Sequence, residues 1–403
     1  MPETFTYKVR DQKGALITGE LAGDNADLVT AKLREMRYIP LEVKQKKAGL
    51  QREFSFRPGR VKLKDLSVFS RQFATMINSG LPLLRTLGIL EEQSEAETLK
   101  KVVGEMRLDV EKGTSLSGAL ARHPKAFSPL YVSMCKAGEA AGTLDQVLLR
   151  LADTIEREVE LRHKVKSAMT YPVVVLIMVV LILAAMLLFV VPTFKDLYAD
   201  LGGTLPLPTR FLLALSEGLR KYFLLVVAAF IGLMFLLRRW KKTENGRYRW
   251  DKFKIKAPIF GPLFHKTALS RFARTLGVLS KSGVPILQSL DIVADTVNNE
   301  VVARAVKDVQ VGVKEGESIA APLSRHEVFP PMVVQMMAVG EETGALDTML
   351  EKIADFYDSE VTAAVDSLTS LIEPVMIAVV GGAVGAIVVA LYMPLFNIIN
   401  LIR

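Results

Sequence analysis

The sequence predicts an all-α membrane protein: two repeated cytoplasmic six-helix bundles and three transmembrane helices, preceded by a small N-terminal α+β module. Three observations carry this expectation. The chain matches itself at a fixed offset, it contains three long uncharged apolar runs, and its Lys and Arg residues crowd beside one end of those runs. A chain of 403 residues has room for two or three domains of ordinary size. Half of the residues are hydrophobic, yet 23% are charged, which indicates separate apolar blocks and polar domains in place of a uniformly apolar chain.

Residues 1–45 read as the α+β module. Phe5, Tyr7 and Val9 alternate as in a strand, residues 11–14 make a turn, 15–21 can pair back, 25–36 have a helical pattern and 39–43 suit a third strand. The opening MPETFTYKVRDQKG has no apolar run after a basic start, so it does not read as a cleavable signal peptide, and the first domain is expected to stay in the cytoplasm. Residues 46–62 are basic, contain Pro58 and Gly59, and read as a linker.

The repeat covers residues 63–170 and 266–373. FSRQFATMINSGLPLL from Phe69 matches FARTLGVLSKSGVPIL from Phe272 at an offset of 203. The offset falls to 202 by the segment AGEAAGTLDQVL from Ala137, which matches VGEETGALDTML from Val339. Within the first copy, Leu66, Phe69, Phe73, Met76 and Ile77 form a helical stripe that Gly80 ends and Pro82 follows, the punctuation of a helical hairpin. Gly113, Pro124, Pro129 and Gly142 divide the remainder so that each copy reads as six helices. No breaker separates Leu144 from Tyr171, so the sixth helix is expected to run straight into the membrane.

The spans are expected at 171–194, 217–237 and 374–396, with a periplasmic loop at 195–216, a basic cytoplasmic connector at 238–265 and a periplasmic tail at 397–403. The second is the shortest run, uncharged only from Tyr222 to Leu237, and needs Arg220 and Lys221 to snorkel toward the headgroups. In the third, Ala378, Gly381, Gly382, Gly385 and Ala386 form a small-residue stripe with GxxxG spacing, a candidate face for membrane-helix packing. Fourteen Lys and Arg residues lie in 150–170 and 238–256 against four in 195–221, which places both large polar regions in the cytoplasm. An even number of crossings between the copies requires the same arrangement. The basic residues cluster beside apolar segments, so anionic lipid is the expected partner of the net charge of +8, and nucleic acid is not.

No catalytic residue, cofactor site or metal site is predicted. GxxxxGK[ST] is absent, the four histidines are not in HExxH spacing, and the single Cys135 excludes an intrachain disulfide and a thiolate zinc cluster. No Asp or Glu lies within the uncharged apolar runs, Glu217 standing at the outer edge of the second span and Glu373 just before the third, which argues against a proton-coupled transporter. The paired GExxGxLD segments place Glu139 with Asp145, and Glu341 with Asp347, around a helix start. Two readings are open: electrostatic capping of the sixth helix, or an acidic docking contact for a cytoplasmic partner.

The paired SG-[LV]-P and GExxGxLD motifs, LPLPTR after the first span and three membrane helices resemble the inner-membrane platform proteins of bacterial type IV pilus and type II secretion machines, the PilC/GspF-like family, over essentially the whole chain. VFSRQFATMINSGLPL and VPTFKDLYADLGGTLPLPTR are more similar to the pilus branch. The resemblance implies a scaffold without enzymatic activity in the bacterial inner membrane. Its implied partners are a cytoplasmic hexameric assembly or retraction ATPase, pilin or pseudopilin subunits, inner-membrane alignment proteins and further copies of the chain, a dimer being favoured. A transporter or channel is the competing class, since repeats also build transporters.

Overall fold

The computed structural model describes residues 3–10, 16–23, 26–36, 38–45, 61–193 and 207–401. The expected turn at 11–14, nearly all of the basic linker and the first part of the 195–216 loop lie outside the described residues. The chain divides into two units, residues 1–59 and 60–403.

In the first unit, β1 (Glu3–Arg10) pairs antiparallel with β2 (Leu16–Gly23) and with β3 (Ile39–Gln45), giving the order β2-β1-β3. Helix α1 (Ala26–Glu35) buries Val29 and Leu33 with Val9, and Tyr7 and Tyr38 pack at the edge of that cluster. Three strands and a covering helix are the smallest arrangement that shields one sheet face.

In the second unit all regular secondary structure among the described residues is helical. Its first copy comprises α2 (Leu63–Asn78), α3 (Leu83–Gln93), α4 (Glu97–Glu111), α5 (Leu116–Ala121), α6 (Pro129–Ala141) and α7 (Leu144–Ala185). Helix α2 buries Leu66, Phe69, Phe73 and Ala74, a stripe at helical spacing, against Val147, Leu148, Leu151 and Ile155 of α7. Phe73 is fully buried, and its side chain alone contributes about 1.5–3 kcal/mol through loss of apolar surface to water. Phe127 links the stripe to Tyr131, with ring centroids 5.9 Å from Phe69 and 5.0 Å from Tyr131.

An arginine fork sets the register of α2 on α7. Arg71 donates to Asp153 at 2.5 Å and to Glu156 at 2.5 and 2.7 Å, and these hydrogen bonds, Glu156 first, hold its guanidinium above its usual range. The second copy repeats the fork, as Arg274 meets Asp355 at 2.7 Å and Asp358 at 2.5 Å. Burial there works against the charge, but the two carboxylates outweigh it and raise the guanidinium.

After α7, a π turn at Met186–Val190 leads to the described end of the helix at Thr193. Helix α8 (Leu207–Trp240) contains a non-helical residue, Tyr222 (φ −109°, ψ 15°). Residues 207–216, expected as loop, are therefore helical, because Thr209, Leu213 and Ser216 recur on one face and are buried. The connector also contains a helix, α9 (Glu244–Lys256), started by the Thr243 hydroxyl accepting the Gly246 N–H at 3.2 Å. Its buried Asp251 accepts the Glu300 N–H at 3.0 Å and so caps a helix of the second copy.

The second copy runs through α10 (Gly261–Lys281), α11 (Ile286–Thr296), α12 (Glu300–Lys314), α13 (Ala320–Ser324), α14 (Pro331–Thr343) and α15 (Leu346–Leu401). One continuous core includes buried residues of both copies. Arg157 reaches Asp355 at 3.3 Å, Arg271 reaches Glu158 at 3.4 Å, and Arg150 donates to the Lys281 carbonyl at 2.7 Å. Nearer the apolar segments, Leu161, Val165 and Ala168 of α7 pack with Val361, Val365 and Leu368 of α15. Among the described residues, three helices are long and apolar enough to cross a membrane: Leu144–Thr193, Lys221–Trp240 and Leu346–Ala390.

Residues 62–168 alone are expected to fold as a soluble helical domain, since α2 to α7 supply their own stripe, fork and caps. Circular dichroism should show high helicity and a cooperative melt. Low helicity without a cooperative transition would contradict this.

Candidate functional site

The GExxGxLD segments form equivalent corners in the two copies, and each position has a separate physical task. Gly138 lets α6 lie directly on the start of α7, because a Cβ there would meet Leu144 Cα at 3.2 Å and Val147 Cβ at 3.1 Å. Gly142 then turns the chain with φ +68°, a left-handed conformation that side chains disfavour. The second copy matches: a Cβ on Gly340 would meet Leu346 Cα at 3.1 Å, and Gly344 has φ +70°.

Glu139 does not act on the sixth helix. Its carboxylate accepts the backbone N–H of Leu116 at 2.6 Å, the N–H of Ser117 at 3.1 Å and the Ser117 hydroxyl at 2.5 Å, so it caps the N-terminus of α5. Ser115 completes that cap by accepting the Gly118 N–H at 3.2 Å. Glu341 repeats the arrangement by accepting the Ile319 N–H at 2.8 and 3.0 Å, just ahead of α13. The expected capping of the sixth helix by these glutamates is therefore corrected to the fourth. The cause is packing: α6 brings its C-terminal turn against a helix start more than twenty residues earlier in the chain.

Asp145 and Asp347 are the acids in the first turns of α7 and α15, where the helix dipole favours a negative charge. Neither makes a hydrogen bond or ion pair to another described residue, and both are partly exposed. Their surroundings differ. Asp347 lines a groove of about 140 Å³ between the copies, with Glu351, Arg150, Arg157, Arg274 and Lys281, whereas Asp145 is outside it.

Sequence reasoning missed the arginine forks and the Asp251 cap. The forks had a usable signal, since Arg71 and Arg274 and their acid pairs recur at the repeat offsets. The expected ion pairs along α7 are present, Glu158 with Arg162 at 2.6 Å and Glu160 with Lys164 at 3.3 Å. Cys135 is fully buried beside the corner. Burial, and secondarily Glu139, pushes its thiol well above the usual range, so it stays protonated and weakly nucleophilic. Ala378, Gly381, Gly382, Gly385 and Ala386 are all exposed, and no atom lies within 4 Å of a Cβ built on the three glycines. The stripe packs on nothing among the described residues of one chain.

The sequence profile described as "Type II secretion system (T2SS), protein F" matches residues 69–192 and 272–394, the two copies. The profile "Type II secretion system protein F, N-terminal domain" matches residues 1–44. The chain is similar to the "Type IV pilus assembly protein PilC" of Myxococcus xanthus, with 42% identity over 99% of this chain and 96% of the relative. It is 44% identical to the Thermus thermophilus protein of the same name, over 98% of each. A "Type II secretion system protein F" of Vibrio cholerae is 36% identical over 98% of each chain. Two matched copies, a matched N-terminal domain and full-length relatives place the chain in the type II secretion system protein F family.

Proposed function

We propose that the chain is the inner-membrane platform of a type IV pilus assembly machine, coupling a cytoplasmic assembly ATPase to insertion or removal of pilin subunits. The observation that carries this reading is geometric. Each bundle is closed by a helix, α7 or α15, that continues without interruption into a membrane-competent segment, so a displacement of the bundle is transmitted to the membrane. The full-length relatives named as pilus assembly proteins, at 42% and 44% identity, favour the pilus branch over the secretion branch at 36%. A secretion-system platform, working on pseudopilins, is the second reading, and the full-length secretion relative supports it.

In this reading the bundles and the N-terminal α+β module, residues 1–45, face the cytoplasm. Arg238, Arg239 and Lys242 at the end of the second span, with Arg249, Lys252 and Lys256 exposed on α9, meet anionic headgroups there. The exposed stripe Ala378–Ala386 is the face for a second copy or another membrane helix. Docking of the ATPase falls to Asp145 and Asp347, because Glu139 and Glu341 are occupied with backbone N–H groups. No catalytic role is assigned to any residue.

Topology is testable by cysteine labelling after Cys135→Ala. An impermeant maleimide is expected to label Asp200→Cys in intact cells and to leave Glu342→Cys unlabelled. The opposite pattern would invert the orientation.

The acids separate by function. Glu139→Gln or Glu341→Gln should lower stability by about 0.5–2 kcal/mol while ATPase capture persists. The double variant Asp145→Arg with Asp347→Arg should cost about 1 kcal/mol or less through the helix dipoles and yet lose ATPase capture. Unchanged capture by the Asp variant would remove the docking assignment.

A further inference from the structure

The first and third spanning helices share a defect near their bundle-distal ends, and both defects are repaired from one helix. Pro192 and Pro394 occupy equivalent positions of the repeat, and neither has a backbone N–H. In the first helix the chain forms the π turn Met186–Val190, in which the Val191 N–H reaches back to the Met186 carbonyl. That strands the carbonyl of Leu187. Its α-helical donor, Val191, is bonded one residue earlier, and the next donor position is Pro192. In the third helix the α-helical donor for the Ala390 carbonyl would be Pro394, which is likewise unable to donate. A carbonyl left unpaired at membrane depth finds no water to replace the lost partner.

Both carbonyls are taken by hydroxyls of α8. Ser216 Oγ donates to the Leu187 carbonyl at 2.5 Å, and Thr209 Oγ1 donates to the Ala390 carbonyl at 2.6 Å. The donors are two helical turns apart and therefore on one face, and each is 1% exposed. Between them Leu213 packs with Val191 of the first helix and Ile387 of the third. The contact ends at Tyr222, where α8 leaves helical geometry, and every residue from Lys221 to Trp240 beyond it is exposed.

We propose that residues 207–221 are a clasp on the bundle-distal ends of the first and third spanning helices. Thr209 and Ser216 hold the proline-freed carbonyls of the two repeat-related spans and keep their distal ends together, while the second span pivots about Tyr222. The clasp ties the copies to one another at a point remote from their shared core in the bundles. It requires only this packing and stands whether the chain serves a pilus or a secretion machine.

The test uses full-length protein with Cys135→Ala in vesicles of phosphatidylethanolamine and phosphatidylglycerol. Spin labels are placed at Leu181→Cys and Val389→Cys, both exposed. Pulsed electron resonance should give one narrow distance for this parent. Thr209→Val combined with Ser216→Ala should lose it to a broad distribution, and Thr209→Ser, which keeps a hydroxyl, should retain it. Pro192→Ala restores a backbone donor, so Ser216→Ala should broaden the distance less in that background than in the parent. Each single variant, checked for helicity by circular dichroism, provides the reading if the double variant does not fold. A narrow parental distance in the hydroxyl-free variants would overturn the clasp, as would an equal effect of Ser216→Ala with and without Pro192.

Discussion

The helix that closes each copy has to satisfy two solvents along one continuous backbone. Over its first turns α7 is amphipathic, burying Val147, Leu148, Leu151 and Ile155 against α2 while Asp153, Glu156 and Glu158 remain at the aqueous side. Beyond Lys166 the same helix carries no charge and is apolar on every face, as bilayer hydrocarbon demands. Helix α15 makes the same change, with Ile353, Ala354 and Tyr357 buried in the bundle and the apolar run beginning at Pro374. Everything else in the fold is arranged around that continuity. The arginine forks set how α7 and α15 lie in their bundles, the glycine corners set where they begin, and the clasp residues meet them where prolines interrupt their hydrogen bonding.

Duplication explains why these devices come in pairs, and the differences between the pairs indicate how the copies diverged. The forks are matched in position, each arginine meeting two acids three residues apart on the closing helix, whereas Arg271, which occupies the position of Val68 in the first copy, is turned into the contact between copies and meets Glu158. Burial lowers its guanidinium and Glu158 opposes that shift, the balance expected where a charge is withdrawn from water but kept paired. The two copies are thus related in fold and unequal in environment. Asp347 faces the groove between them and Asp145 does not, so a partner that touches both acids meets two different surfaces.

Much of the architecture was legible because its signals are local. The repeat, the helix punctuation and the apolar runs are patterns of neighbouring residues, and the helices α2 to α7 follow them closely. Glu139 was harder. Its place three residues before Gly142 associates it with α7, but side-chain reach across a packed corner delivers it to Leu116 and Ser117 instead. Thr209 and Ser216 were harder still, since their acceptors lie 181 and 29 residues away and exist only because prolines elsewhere freed them. Helix α9 was obscured by its charge: a run dense in Arg and Lys reads as a connector, yet Thr243 caps it and Asp251 ties it to α12.

In the proposed platform each bundle and its span move as one body, because a single helix passes between them. Inserting Gly-Gly after Thr170 and after Ile372, at equivalent points ahead of the apolar runs, adds flexible residues that weaken helix continuity by about 1 kcal/mol each. The full-length variant should remain in the membrane, keep its helicity and still capture the assembly ATPase, but fail to support fibre assembly when it replaces the parent protein in cells. Fibre assembly at the parental level, with both insertions verified, would contradict the account.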